Sequence, residues 1–170
     1  MPTIAGSHEL RKMKDLLEEI GWEPEITDSG DGFFVKLSHV DPLLAFAYIG
    51  LNKYDKKLNC TVSFSIPAPV GRRHECASLF MAMNWHLATG NFQIDLEDGQ
   101  LRYKGGINLS SATFQEILFK NLVVDALLSI DMHKGLITRF ITENLTLKEA
   151  IMSLKMMIAE SRHEDDKSQA

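Results

Sequence analysis

Six histidines and two cysteines are the residues here best suited to hold a metal or to act as nucleophiles, and their spacing assigns them neither role. Two ligands on one helix face need a separation of four. His8, His39, His74, His86, His133 and His163 are scattered, and none stands at that distance from another His or from a Cys. Cys60 alternates with Val62 and reads as a small hydrophobe, and no C-x-x-C is present. A G-x-S-x-G elbow is absent. Gly30-Asp31-Gly32 is too short for a dinucleotide fingerprint, and Gly105-Gly106 precedes no Lys-Ser/Thr pair. Asp95, Glu97 and Asp98 flank a turn and read as solvated hairpin residues. The expectation is a chain that is not an enzyme, with no metal and no cofactor.

One basic feature invites a ligand. Arg72, Arg73 and His74 fall at a predicted helix N-terminus, where free N–H groups and the helix dipole favour an anion or an acidic partner segment. The competing reading is three solvated residues on a loop.

The elements that must position these groups follow from pattern. At 170 residues, 45% hydrophobic and 24% charged, the chain suits one globular domain, predicted over residues 7–160, with a disordered acidic tail over 161–170. A formal charge of −5 argues against a non-specific nucleic-acid binder. The longest apolar run, Leu43 to Ile49, is far short of the roughly 20 residues that span a bilayer. The opening residues show no secretory pattern, and two unpaired cysteines fit a reducing interior. A cytoplasmic protein with no membrane contact is expected.

Leu10, Met13, Leu16, Leu17 and Ile20 predict a first helix from Ser7 to Gly21. A hairpin over Trp22 to Leu37 follows. Leu43 to Leu51 is apolar at nearly every position, as in a strand covered on both faces or lying at a subunit contact. Leu58, Cys60, Val62, Phe64 and Ile66 alternate with polar residues in a one-sided strand. A second helix is predicted over Arg72 to Thr89, then a hairpin with a two-residue turn at Asp98-Gly99 and a bulge or bend at Gly105-Gly106. Ser110 or Ser111 would cap a third helix from Thr113 to about His133, with continuation past Gly135 to Phe140 left open, and a fourth begins near Thr146. The predicted class is α+β, an antiparallel sheet with helices packed on it, in the order α-β-β-β-β-α-β-β-α-α.

Two helices carry more apolar surface than one side of a sheet can cover. In the second, Cys76, Phe80, Met83 and Leu87 form one stripe, and Ala77, Met81, Trp85 and Ala88 another. In the third, Phe114, Ile117, Leu118, Leu122 and Leu128 form one, and Phe119, Val123, Ala126, Ile130 and Ile137 another. The fourth helix, through Leu147, Ile151, Leu154 and Ile158, is one possible cover. A second copy or a protein client is the other. Met81, Trp85, Phe119, Val123 and Ile130 are the interface candidates, and Met81, Met83, Met152, Met156 and Met157 suit an adaptable surface.

The segment Leu79 to Asp95, with Asn84 and Leu87 late in a helix, Gly90 at its end and Phe92 opening a strand, then Asp98-Gly99 followed by Leu101 and Tyr103, resembles the bacterial YbjN-like family over about Leu10 to Phe140. The resemblance implies a sensory-transduction regulator with a fold similar to type III secretion chaperones, acidic, dimeric and protein-binding. The segment after Asn144 has no counterpart in that compact pattern and could block the client surface. The expected function is a non-enzymatic protein-binding module, a chaperone-like or regulatory adaptor. It would form a homodimer through the second or third helix and hold an unidentified protein client. The alternative is a small-ligand sensor or cryptic enzyme with a pocket near Trp85, His86 and Tyr103.

Overall fold

Alternating side chains make residues 57–64 a strand near the middle of the sheet, and its neighbours extend the sheet on both sides. The computed structural model describes residues 8–52, 56–110, 113–143 and 145–168. Strands β1 (Pro24–Ile26), β2 (Gly32–Lys36), β3 (Leu44–Asn52), β4 (Lys57–Phe64), β5 (Asn91–Ile94) and β6 (Leu101–Asn108) form one antiparallel sheet in the order β1-β2-β3-β4-β6-β5. Helices α1 (His8–Glu19), α2 (Arg73–Asn84), α3 (Glu116–Thr142) and α4 (Leu147–Ser168) complete the predicted α+β order.

Period two divides the sheet into two faces. Phe33, Val35, Ala47, Ile49, Leu58, Cys60, Val62, Phe92 and Tyr103 are buried with Leu10, Met13 and Leu17 of α1, Leu79 and Met83 of α2, and the inner side of α3. Each large side chain buried there contributes about 1.5–3 kcal/mol of transfer free energy. On the other face Phe34, Lys36, Phe46, Arg102 and Lys104 are exposed and Tyr48 is half-buried. β3 is therefore covered on one face only.

Local chemistry explains where the elements stop. α1 closes in a Schellman motif, with Gly21 at φ +81° and the Trp22 N–H donating to the Leu17 carbonyl at 3.0 Å. α2 ends at Asn84, five residues before the predicted Thr89, because the Asn84 amide binds the backbone of Phe92. Its Oδ1 accepts from the Phe92 N–H at 2.7 Å, and its Nδ2 donates to the Phe92 carbonyl at 3.0 Å. The β5–β6 connection is wider than a two-residue turn. β5 ends at Ile94 and β6 begins at Leu101, and the Asp95 and Asp98 carboxylates accept from the N–H groups of Glu97 and Gln100.

Gly105 and Gly106 pair regularly with Cys60 and Asn59 and make no bulge. Gly105 instead lets α3 approach, since a Cβ there would stand 3.0 Å from the Leu122 side chain. The irregularity lies in β3, between Leu44 and Phe46. α3 starts at Glu116 after Gln115, which makes no side-chain cap, while Ser110 turns back to the Asn108 amide. Ser111, the other predicted cap, and Ser7, where the first helix was predicted to begin, lie outside the described residues. α4 opens with a capping box. Thr146 N–H and Oγ1 both donate to Glu149 Oε2, at 2.9 and 2.6 Å, and the Glu149 N–H returns to Thr146 Oγ1 at 3.3 Å. The helix then continues through Ser168, where an unstructured tail was expected from Ser161; residues 169–170 lie outside the described residues.

Candidate functional site

The apolar surplus is resolved unevenly. On α3, Phe119, Val123 and Ile130 turn toward the sheet and are 2–4% exposed, so these three interface candidates are core, together with Ala126 and Ile137. The residues left outside are Ile117, Val124, Leu128 and Met132, which recur at helical spacing on the opposite side and are 49–63% exposed. Sequence pattern showed two stripes on α3 and could not say which meets the sheet, because both are apolar.

Met81 and Trp85 are open. Met81 lies on the outer side of α2, 74% exposed, and Trp85 caps its end at 86%. α4 packs on α2 and α3 through buried Ala150 and Leu154, with Met152 and Met156 exposed on its far side. It conceals part of the surplus and leaves the outer row of α3 uncovered. Between α3, α4 and the start of β3 runs a groove of about 590 Å³, lined by Leu43, Met132, Leu136 and Met157, with Asp131, Lys134 and Arg139 among its charged residues.

The two arginines of the basic cluster turn to backbone carbonyls of the fold. Arg72, in a 3-10 turn (Val70–Arg72) before α2, donates from its guanidinium to the carbonyls of Phe140 and Leu145. It also lies 3.9 Å over the Phe140 ring and pairs with Glu75 at 3.1 Å. Carbonyls near the end of a helix lack intrahelical partners, and a cation there meets the favourable end of the dipole. Arg73 binds the carbonyls of Leu96 (3.1 Å) and Glu97, clamping the β5–β6 connection. The Arg72 guanidinium is spent inside the fold, Arg73 uses Nη1 for its two carbonyls while its buried Nε has no hydrogen-bond partner, and His74 is exposed. The carbonyl partners of the two arginines lie 23 to 73 residues away in sequence, which is why local spacing could not reveal the role.

Other titratable groups are also structural. His133 is buried with Nδ1 at 2.8 Å from the Ser129 carbonyl, an acceptor, so this nitrogen carries the proton. Its ring meets Phe92 edge-on at 5.3 Å, and burial holds its pKa below the ordinary value, opposed by the Ser129 bond and aided by His86. Lys134 joins Asp41 of the β2–β3 connection at 2.7 Å to Asp131 at 2.8 Å, and that hydrogen bond lowers the Asp41 pKa. Burial pushes the Cys60 thiol up to about 12 and that of Cys76 to about 11, so neither forms a thiolate near neutrality. Among the described residues no group of three His, Cys, Asp or Glu could hold a metal, and no helix is long and apolar enough to cross a membrane.

Trp85, His86 and Tyr103 do not share a pocket. Tyr103 is buried and its hydroxyl donates to the Thr89 carbonyl at 2.9 Å, while Trp85 and His86 face outward. The recess beside Tyr103, walled by Thr89, Ile107, Leu122 and Asp125, holds about 100 Å³. Small-molecule sites commonly need about 300 Å³ or more.

A feature the sequence reading missed lies on the uncovered sheet face. Phe34 and Phe46 are 45% and 41% exposed and meet edge to face at 5.8 Å, and Phe34 also touches Tyr48 at 5.6 Å. The signal was present in the unbroken apolar run of β3, which exceeds what a one-sided strand requires.

No curated protein matches this chain. Its fold is similar to the crystal structure of YbjN from E. coli, with a TM-score of 0.51 at 13% identity, covering 78% of this chain and 95% of that one. The model of a family described as "Putative bacterial sensory transduction regulator" matches residues 10–133, from α1 into α3, so that α4 and the last turns of α3 lie beyond the match. With most of its length inside that match, and with the Asn84–Phe92 and Gly90–Tyr103 contacts that tie its helix–hairpin segment together, the chain belongs to the YbjN family.

Proposed function

We propose that this chain is a non-enzymatic regulatory adaptor that self-associates and holds a protein segment on an apolar surface. The observation that carries this reading is the outer row of α3, Ile117, Val124, Leu128 and Met132, about half exposed or more on a helix whose inner side already completes the core. Contiguous apolar surface of this kind is uncommon on a monomer without a partner. The row runs into the groove between α3 and α4, where Met132 and Met157 supply adaptable walls. Protonated, buried thiols support binding over catalysis. Free Cys60 and Cys76 support work in a reducing compartment such as the cytoplasm.

Purification from a bacterial extract tests the reading. Wild type should retain one polypeptide in stoichiometric amount, and Leu128→Asp with Met132→Asp should lose it while keeping a wild-type melting curve. Equal retention by the variant, or no polypeptide with wild type, would contradict the proposal.

A further inference from the structure

The uncovered face of the sheet has an order that a solvent-facing surface does not need. Glu25, Phe34, Tyr48, Thr61 and Lys104 stand directly opposite one another across β1, β2, β3, β4 and β6, so their side chains share that face in one row. The next row runs Lys36, Phe46, Ser63, Arg102. Its middle is aromatic and flat. The Tyr48 ring lies across Gly50, where a Cβ would stand 2.2 Å from the hydroxyl, and that hydroxyl binds Asp31. The first row ends in opposite charges, Glu25 two strands to one side of β3 and Lys104 two strands to the other, while the second carries a cation on each side, Lys36 on β2 and Arg102 on β6.

We infer that this face receives a second copy of the chain, sheet against sheet, about a two-fold axis running along β3. The inference rests on the self-association proposed above and places it on the sheet instead of the helices. Rotation about β3 sets Glu25 of each copy over Lys104 of the other, and Phe46 and Tyr48 over their own counterparts, the reciprocity that an isologous interface requires. A single-stranded nucleic acid could stack on Phe34 and Phe46 beside Lys36, Arg102 and Lys104, but Glu25 and Asp31 share the face and the chain carries a charge of −5. A second copy satisfies both ends. Six strands make the face about 24 Å wide.

Sedimentation equilibrium between micromolar and several hundred micromolar protein tests this. Wild type should reach twice the chain mass. Phe46→Glu, at an exposed position, should keep a wild-type circular dichroism spectrum and weaken the dimer by about 30-fold or more. Glu25→Lys and Lys104→Glu should each weaken it about tenfold, and the two together should restore it to within about threefold. A double variant no tighter than either single one overturns the axis. A dimer lost with Leu128→Asp but untouched by Phe46→Glu overturns the sheet interface while leaving the adaptor reading intact. Monomeric wild type throughout overturns the interface and self-association together. A labelled oligonucleotide that binds monomeric wild type, and fails to bind Phe46→Glu, assigns the face to nucleic acid instead.

Discussion

Phe33 and Phe34 are neighbours in one strand, and they live in different worlds: the first is fully buried against the helices and the second is 45% exposed on the bare side of the sheet. The contrast extends along the rows, since Ala47 and Ile49 disappear into the core while Phe46 and Tyr48 remain at the surface. One face determines the fold, because its side chains have partners from α1, α2 and α3. The other is equally aromatic near its middle, yet it contributes little to the monomer because none of the described residues lies over it. The lesson is that apolar composition in a strand states how much surface must be hidden, and the layer arrangement decides what hides it.

That contrast can be broken by substitution. Phe33→Ala should cost about 3–5 kcal/mol in equilibrium denaturation, because a ring is removed from close packing, whereas Phe34→Ala should cost less than about 1 kcal/mol. Comparable losses at the two positions would mean that both faces support the monomer. The covered side is also closed at its rim by Arg72, and Arg72→Ala should cost about 1–3 kcal/mol by leaving the carbonyls of Phe140 and Leu145 without their donor. Arg72→Lys should recover only part of this, since an ammonium lacks the planar fork that reaches both carbonyls and covers the ring.

Acid offers a gentler probe of the covered face. The His133 pKa is depressed below its ordinary 6.5 in the folded chain, so the unfolded chain takes up the proton first. Its contribution is therefore complete above about pH 6.5 and is lost as pH falls through the depressed value. Urea midpoints should decline across this window for wild type, and the decline should shrink in His133→Gln. An unchanged decline would assign the pH dependence to other groups.

Much of the architecture is legible in the residues themselves. Period-two alternation in β4, helical spacing in α1 and the Thr146-x-x-Glu149 start of α4 each depend on neighbours in sequence, and each element forms where its pattern lies. What the sequence hid depends on distant partners. The end of α2 is set by an Asn84 contact with Phe92, and Arg72 is claimed by carbonyls 68 and 73 residues away. The exposure of the candidate residues was only partly legible for the same reason: Met81 and Trp85 lie at the surface, whereas Phe119, Val123 and Ile130 are core and Val124 and Met132, in neither predicted stripe, lie outside with Ile117 and Leu128.

Placing the same charge on either side of the one strand is the most direct trial of this account. Phe33→Glu and Phe34→Glu should be compared by circular dichroism and light scattering at one concentration above the wild-type dissociation constant. Phe33→Glu should be unfolded, and Phe34→Glu should be fully folded with the mass of a single chain while wild type shows two. An unfolded Phe34→Glu, or a folded one that keeps the wild-type mass, would contradict the claim that the bare face exists for a partner.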